Sequence, residues 1–274
     1  MTILLGCCIE KLRTLPDASV HCVVTSPPYW GLRDYGVPGQ LGLEPTPEEY
    51  VAHMVAVFRE VRRVLRDDGT LWLNLGDSYG RGKQLVGIPW RVAFALQEDG
   101  WLLRQDIIWN KPNCMPESVR DRCTRSHEYI FMFAKSERYV FDVEAVKEPA
   151  VSDHNSGNGF KRGARLSYQN IDGTPRGNDK QWTGVGGKRN KRSVWTVTTK
   201  PFKGAHFATF PPDLIEPCIL AGCPVGGVVL DPFFGAGTTG LVAQRHGRSY
   251  IGIEINPSYR DLAMARIAAE QVTT

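Results

Sequence analysis

The chain has 274 residues, 42% of them hydrophobic, with 33 lysines and arginines against 29 aspartates and glutamates for a net charge of +4. That is apolar material for one large or two small domains, which excludes wholesale disorder, and no apolar run approaches the ~18 residues a membrane span needs. The start, Met1-Thr2-Ile3-Leu4-Leu5-Gly6, lacks the charged lead of a signal peptide, and the seven cysteines include no CxxC pair, so buried thiols in a soluble cytoplasmic protein are expected, with no metal site.

In chain order, Val20 to Val24 is a β-branched run stopped by Pro27-Pro28, a buried strand ending in a loop. Pro47 to Leu65 carries Val51, Met54, Val55, Phe58, Val61, Val64 and Leu65 at helical spacing, and Asp67-Asp68-Gly69 stops it. Thr70 to Leu75 is the next predicted strand, Trp90 to Leu96 a helix, Asp106 to Trp109 and Tyr129 to Ala134 strands. Pro211 to Ala221 is a helix with prolines tolerated in its first turn. Strand, helix, strand and helix follow at 227–230, 239–246, 249–253 and 258–270. Repeated strand–helix alternation predicts an α/β protein with one predominantly parallel sheet covered by helices on both faces.

Between these halves the composition changes. Residues 152–195 hold nine basic and three acidic residues and eight glycines, a local charge of +6 that leaves the rest of the chain at −2. A solvated linker is the plain alternative, but Phe160, Tyr168, Trp182 and Trp195 interleave with the charges, and cationic surfaces with stacking faces hold nucleic acid. Lys161, Arg162, Arg165, Lys188, Arg189, Lys191 and Arg192 are the candidate nucleic-acid contacts.

Two loops carry chemistry. Asp231-Pro232-Phe233-Phe234-Gly235-Ala236-Gly237-Thr238-Thr239-Gly240 lies between a predicted strand and helix, and Glu254 closes the next strand seventeen residues after Gly237. Glycines that admit a ligand to the backbone, a helix N-terminus and an acid for ribose hydroxyls suit an adenosine-containing ligand. A nicotinamide dinucleotide fits poorly, since only about twenty residues remain after Glu254 for a second mononucleotide half. The other loop is Thr25-Ser26-Pro27-Pro28-Tyr29-Trp30. Its prolines stiffen the backbone and remove donors, leaving carbonyls as acceptors. A flat amino-bearing base could stack on Tyr29 while its NH2 donates to Ser26 and the Pro27 carbonyl. The alternative is a loop in which Pro-Pro only ends a strand.

Together, Ser26-Pro27-Pro28-Tyr29 and Phe233-Phe234-Gly235-Ala236-Gly237 resemble the S-adenosylmethionine-dependent amino-group DNA methyltransferases, whose loops read (D/N/S)PP(Y/F/W) and F-x-G-x-G. The order, with the basic insert between the loops, resembles the family's permuted beta group, and most of the chain shows family-like blocks. The resemblance implies a circularly permuted Rossmann-like methyltransferase fold: a catalytic half at 1–150, a small irregular target-recognition insert at 151–200, and a cofactor-binding half at 201–274. Ser26 and Pro27 would accept from the target amine, with Pro28 stiffening the loop and Tyr29 stacking on the flipped base. Asp231, Phe233, Gly235, Gly237, Thr238 and Thr239 would line the cofactor, Glu254 would bind its ribose, and Phe207 and Pro211 would close over its methionine end. Cys7 stands where the family usually has an aspartate for the adenine amino group, and a thiol is a weak partner there.

Serine at the first loop position resembles the cytosine-N4 branch more than the adenine-N6 branch, which stays the alternative. A protein or RNA N-methyltransferase and an inactive DNA-binding module are more remote. Double-stranded DNA is the expected partner, a cognate restriction endonuclease a possible one, and the chain a monomer or homodimer. Its length leaves no room for a nuclease domain. Pro217-Cys218 imitates the nucleophile dipeptide of carbon-5 methyltransferases, but inside an amphipathic helix Cys218 reads as a core thiol. Cys123 and His127 are two residues where a zinc site needs four.

Overall fold

A computed structural model describes residues 1–150, 187–199 and 209–271. Its strands are β1 (Thr2–Leu5), β2 (Val20–Thr25), β3 (Leu65–Leu75), β4 (Leu102–Asn110), β5 (His127–Ala134), β6 (Glu148–Pro149), β7 (Lys188–Arg189), β8 (Val194–Thr196), β9 (Val228–Asp231) and β10 (Ser249–Glu254). The helices are α1 (Cys8–Leu12), α2 (Pro47–Val64), α3 (Ile88–Glu98), α4 (Pro212–Gly222), α5 (Thr238–Arg245) and α6 (Pro257–Gln271). None is long and apolar enough to cross a membrane among the described residues.

Eight strands form one sheet in the order β1-β10-β9-β2-β3-β5-β4-β8. All neighbours are parallel except β5, which runs antiparallel to both β3 and β4. The predicted mostly parallel α/β sheet is therefore present, with one reversed strand. The reversal has a local cause: no helix lies between β4 and β5, and without a crossover a strand returns antiparallel to its neighbour.

Strand periodicity sorts the core into two layers. Val23, Leu71, Leu73, Leu75, Phe131, Phe133, Leu230 and Ile253 enter one cluster with Leu12 of α1, Tyr50, Met54, Phe58 and Val61 of α2, and Val92 and Leu96 of α3. Their alternates along the strands, such as Cys22, Val24, Trp72 and Val229, are equally buried on the other side, where α4 and α5 pack. A fully buried side chain such as Phe58 contributes about 2–3 kcal/mol. In α2, Thr46 caps the N-terminus by accepting from the Glu49 amide at 3.2 Å, and Pro47 takes the first turn. The buried stripe includes Tyr50 and Val57, while Val51 and Val55, expected in it, are only partly covered.

Two units are distinguished, Met1–Ala145 with Arg192–Thr274, and Val146–Lys191. In the second, β6 and β7 form a two-stranded ladder, and Arg189 pairs with Glu148 at 2.9 Å. Lys188 is exposed and Lys191 half-buried. Phe160, Lys161, Arg162, Arg165, Tyr168, Trp182 and Phe207 lie outside the described residues. Trp195, expected as a stacking face, is instead buried in β8, its indole N–H donating to the Arg192 carbonyl at 2.7 Å.

Of the cysteines, all expected to be buried, Cys8, Cys22, Cys218 and Cys223 are, whereas Cys7 and Cys114 are half-buried and Cys123 is exposed; all seven are free thiols. Cys218 lies wholly inside α4, as a core residue.

Candidate active site

β9 and β2 are adjacent and parallel, with Cys22 opposite Val229 and Val23 opposite Leu230. Two loops some two hundred residues apart in sequence thus leave the same edge of the sheet side by side. From this point the chain continues to β10 on one side and β3 on the other, a topological switch point of the kind where α/β sheets bind ligands.

The loops are joined through a buried carboxylate. Asp231 accepts from the Thr25 hydroxyl at 2.6 Å, the Thr239 hydroxyl at 2.7 Å and the Phe233 amide at 3.0 Å. Burial raises its pKa to about 6, against these three hydrogen bonds, which favour the charged form. Asp231 thereby fixes Thr25, the residue before Ser26, to the glycine loop. Thr239 is committed to the same carboxylate, and the Thr238 hydroxyl accepts from Arg266 of α6 at 2.9 Å, with the Ala236 carbonyl 3.1 Å from the same nitrogen. The side chains of Asp231, Thr238 and Thr239 therefore brace the loop internally.

Gly237 shows why the loop needs glycine. It adopts φ +75°, and a Cβ there would lie 2.9 Å from the Ala263 methyl. Phe233 packs at the edge of the core, and Glu254 accepts from the Gly235 amide at 2.7 Å and the Asn256 amide at 2.8 Å. Burial pushes the Glu254 carboxyl above the usual range despite these bonds. Each oxygen keeps a lone pair, so a vicinal diol, which brings two O–H donors, matches it. Cys7 is the N-cap of α1, and the Gly6 amide before it donates to the Glu254 backbone carbonyl at 2.9 Å. Pro211 is not the first residue of α4 but its extended N-cap.

On the Ser26-Pro27-Pro28-Tyr29 loop, Ser26 is half-buried and Pro27 buried. The Pro28 carbonyl is taken by the Tyr50 hydroxyl of α2 at 2.8 Å, and the Trp30 indole N–H by the Glu44 carbonyl at 2.9 Å. Trp30 is thus a structural anchor. The Tyr29 hydroxyl accepts from Ser26 at 3.3 Å and donates to Glu128 at 2.7 Å. Its pKa lies well above the usual phenol value, chiefly through burial and then the Glu128 charge. The Asn74 amide donates to Glu128 at 3.2 Å and to the Tyr129 carbonyl at 3.0 Å, and Lys111 pairs with the other Glu128 oxygen.

Asn74, Lys111 and Glu128 were not singled out in the sequence. The available signal was a lone amide in the buried run Leu71-Trp72-Leu73-Asn74-Leu75, and opposite charges at the end of β4 and the start of β5. Only the antiparallel pairing of those strands makes them neighbours. Among the described residues no three His, Cys, Asp or Glu side chains form a metal-binding group.

This fold and paired-loop edge are those of an α/β methyltransferase. The PvuII cytosine-N4-specific DNA methyltransferase shares the fold at a TM-score of 0.71 and 22% identity, over 97% of this chain and 85% of that one. A candidate DNA modification methylase of Thermus thermophilus, solved with S-adenosyl-L-methionine, aligns at a TM-score of 0.65 and 29% identity over 98% and 95% of the two chains. The chain belongs to the N6/N4 DNA methylase family, whose model, described as DNA methylase, matches residues 20–265. Among curated relatives, the type II methyltransferase M.XycI of Xanthomonas campestris pv. cyanopsidis is 50% identical over 98% of this chain and 88% of its own. The type II methyltransferase M.SmaI of Serratia marcescens is 46% identical over 97% and 90%.

Proposed function

We propose that this DNA methyltransferase moves a methyl group from S-adenosyl-L-methionine to the exocyclic N4 amino group of a cytosine flipped out of double-stranded DNA. The observation that carries this is the Thr25–Asp231 hydrogen bond, which ties the Ser26-Pro27-Pro28-Tyr29 loop to the glycine loop at the switch point. The donor fits the residues present: Glu254 matches a ribose diol, and the backbone at Gly235 and Gly237 admits close approach. Bound there, S-adenosyl-L-methionine supplies an electrophilic sulfonium methyl. Ser26 Oγ and the Pro27 carbonyl accept from the target NH2 and withdraw its lone pair from ring conjugation, and Tyr29 holds the base. Rate enhancement then comes from positioning and polarisation, with no covalent enzyme intermediate.

Cytosine is favoured over adenine by serine at the first loop position, since the family's adenine enzymes more often place a carboxylate or amide there. Residues 151–200 are the proposed target-recognition segment, with Lys161, Arg162, Arg165, Lys188, Arg189, Lys191 and Arg192 facing DNA. The permuted order of the family accounts for the glycine-loop strand β9 lying mid-sheet yet late in the chain. The type II names of the relatives support a role beside a cognate endonuclease in restriction–modification, in the cytoplasm. Nucleoside analysis of duplex DNA treated with purified protein and S-adenosyl-L-methionine tests the base choice: N4-methylcytosine is expected, and N6-methyladenine alone would overturn it.

A further inference from the structure

Ser26 has one O–H donor and two acceptor lone pairs, and amine polarisation requires the lone pairs to face the target. Nothing within the Ser-Pro-Pro-Tyr loop fixes that choice. The surrounding network does. The Tyr29 hydroxyl carries a single proton, which goes to the Glu128 carboxylate at 2.7 Å in preference to the Asn74 carbonyl oxygen at 3.3 Å. With its proton committed, the Tyr29 oxygen is left as an acceptor, and Ser26 donates to it at 3.3 Å.

Glu128 is in turn held from three sides. One oxygen takes Tyr29 and the Asn74 amide, and the other takes Lys111, both members of the ion pair being less than one-fifth exposed. The Lys111 ammonium also lies 4.3 Å from the Trp109 ring centroid, and its backbone amide donates to the Ser126 carbonyl at 2.7 Å. Gly76 completes the seat: a Cβ there would lie 2.5 Å from the Tyr29 ring, so the ring rests directly on backbone.

We propose that the Lys111–Glu128 ion pair is the positioning element of the reaction, orienting the Ser26–Tyr29 hydrogen bond so that the Ser26 lone pairs face the target amine. The proposal rests on the methyl-transfer function above. Glu128 touches neither DNA base nor donor in this scheme; it acts through Tyr29.

Single-turnover methylation of duplex DNA by Glu128→Ala, Glu128→Gln, Tyr29→Phe and the Tyr29→Phe/Glu128→Ala double variant, beside wild type, tests it. Glu128→Ala is expected to slow the transfer step about 100-fold while affinities for S-adenosyl-L-methionine and DNA stay within about threefold. Glu128→Gln, which keeps an acceptor oxygen for Tyr29, should recover part of the rate, and the double variant should be no slower than the worse single one, because both break one chain. Multiplicative losses, or a Glu128→Ala transfer rate near wild type, overturn the proposal while leaving the methyl-transfer function standing. A wild-type protein that methylates no DNA overturns both. Should Glu128→Ala fail to fold by circular dichroism, Glu128→Gln and Lys111→Met carry the same comparison: slowed transfer at intact affinity supports the proposal, and unchanged transfer overturns it.

Discussion

At the scale of single residues, Asp231 trades solvation for connectivity. A carboxylate that is 1% exposed is costly, and three donors offset much of that cost. Its raised pKa means that the folded state holds a proton more tightly than the unfolded chain, so this contribution to stability is full below pH ~4 and is lost as pH rises through about 6. The stability of wild type relative to Asp231→Asn should therefore fall by up to about 3 kcal/mol between pH 4 and pH 7, measured by denaturant unfolding. A pH-independent difference would show that Asp231 titrates normally. Gly76 offers a second test. Gly76→Ala drives a methyl into the Tyr29 ring, and should cost about 1–3 kcal/mol in stability and at least tenfold in methylation rate. Thermal unfolding and a DNA-labelling assay check the two effects separately.

At the scale of elements, the glycine loop is braced by α6 as much as by the helix it opens. Arg266 bonds the Ala236 carbonyl and Thr238, and Gly237 abuts Ala263. Gly237→Ala meets both a left-handed backbone and that contact, so a loss of about 2 kcal/mol or more is expected, with weakened S-adenosyl-L-methionine binding by calorimetry. Wild-type affinity in that variant would mean that the loop relaxes freely. Elements with strong local signals were legible in the sequence: α2 had its periodicity, although Asp67-Asp68-Gly69, expected as its stop, lies inside β3, and the strand around Val23 had β-branched residues and a proline stop. Less legible was whatever depends on neighbours. β1 and α1 are short, the direction of β5 is set by its partners, and the Lys111–Glu128 pair exists only because β4 and β5 meet. The motif likewise did not show which partners Thr238 and Thr239 take: Thr239 donates to Asp231, and Thr238 accepts from Arg266.

At the scale of the molecule, the sheet order brings the Ser26-Pro27-Pro28-Tyr29 loop and the glycine loop together at one switch point, although most of the chain separates them in sequence. Charge is divided just as unevenly, with a +6 stretch at 152–195 against −2 elsewhere. If that stretch holds the DNA backbone, replacing Lys188 and Lys191 by alanine should weaken DNA binding and reduce the slope of log affinity against log salt by roughly one to two units. An unchanged slope would move the DNA-binding role elsewhere, for example to Arg120, Arg122 and Arg125. The central claim is that the Ser26 loop delivers an exocyclic DNA amine to a methyl donor held by the glycine loop. Its most direct test is transfer of labelled methyl from S-adenosyl-L-methionine to unmethylated duplex DNA by wild type and Ser26→Ala under single-turnover conditions. Label on the cytosine amino group with wild type, and a loss of about 100-fold with Ser26→Ala at intact donor binding, is the predicted result; unlabelled DNA, or equal rates for the two proteins, would contradict it.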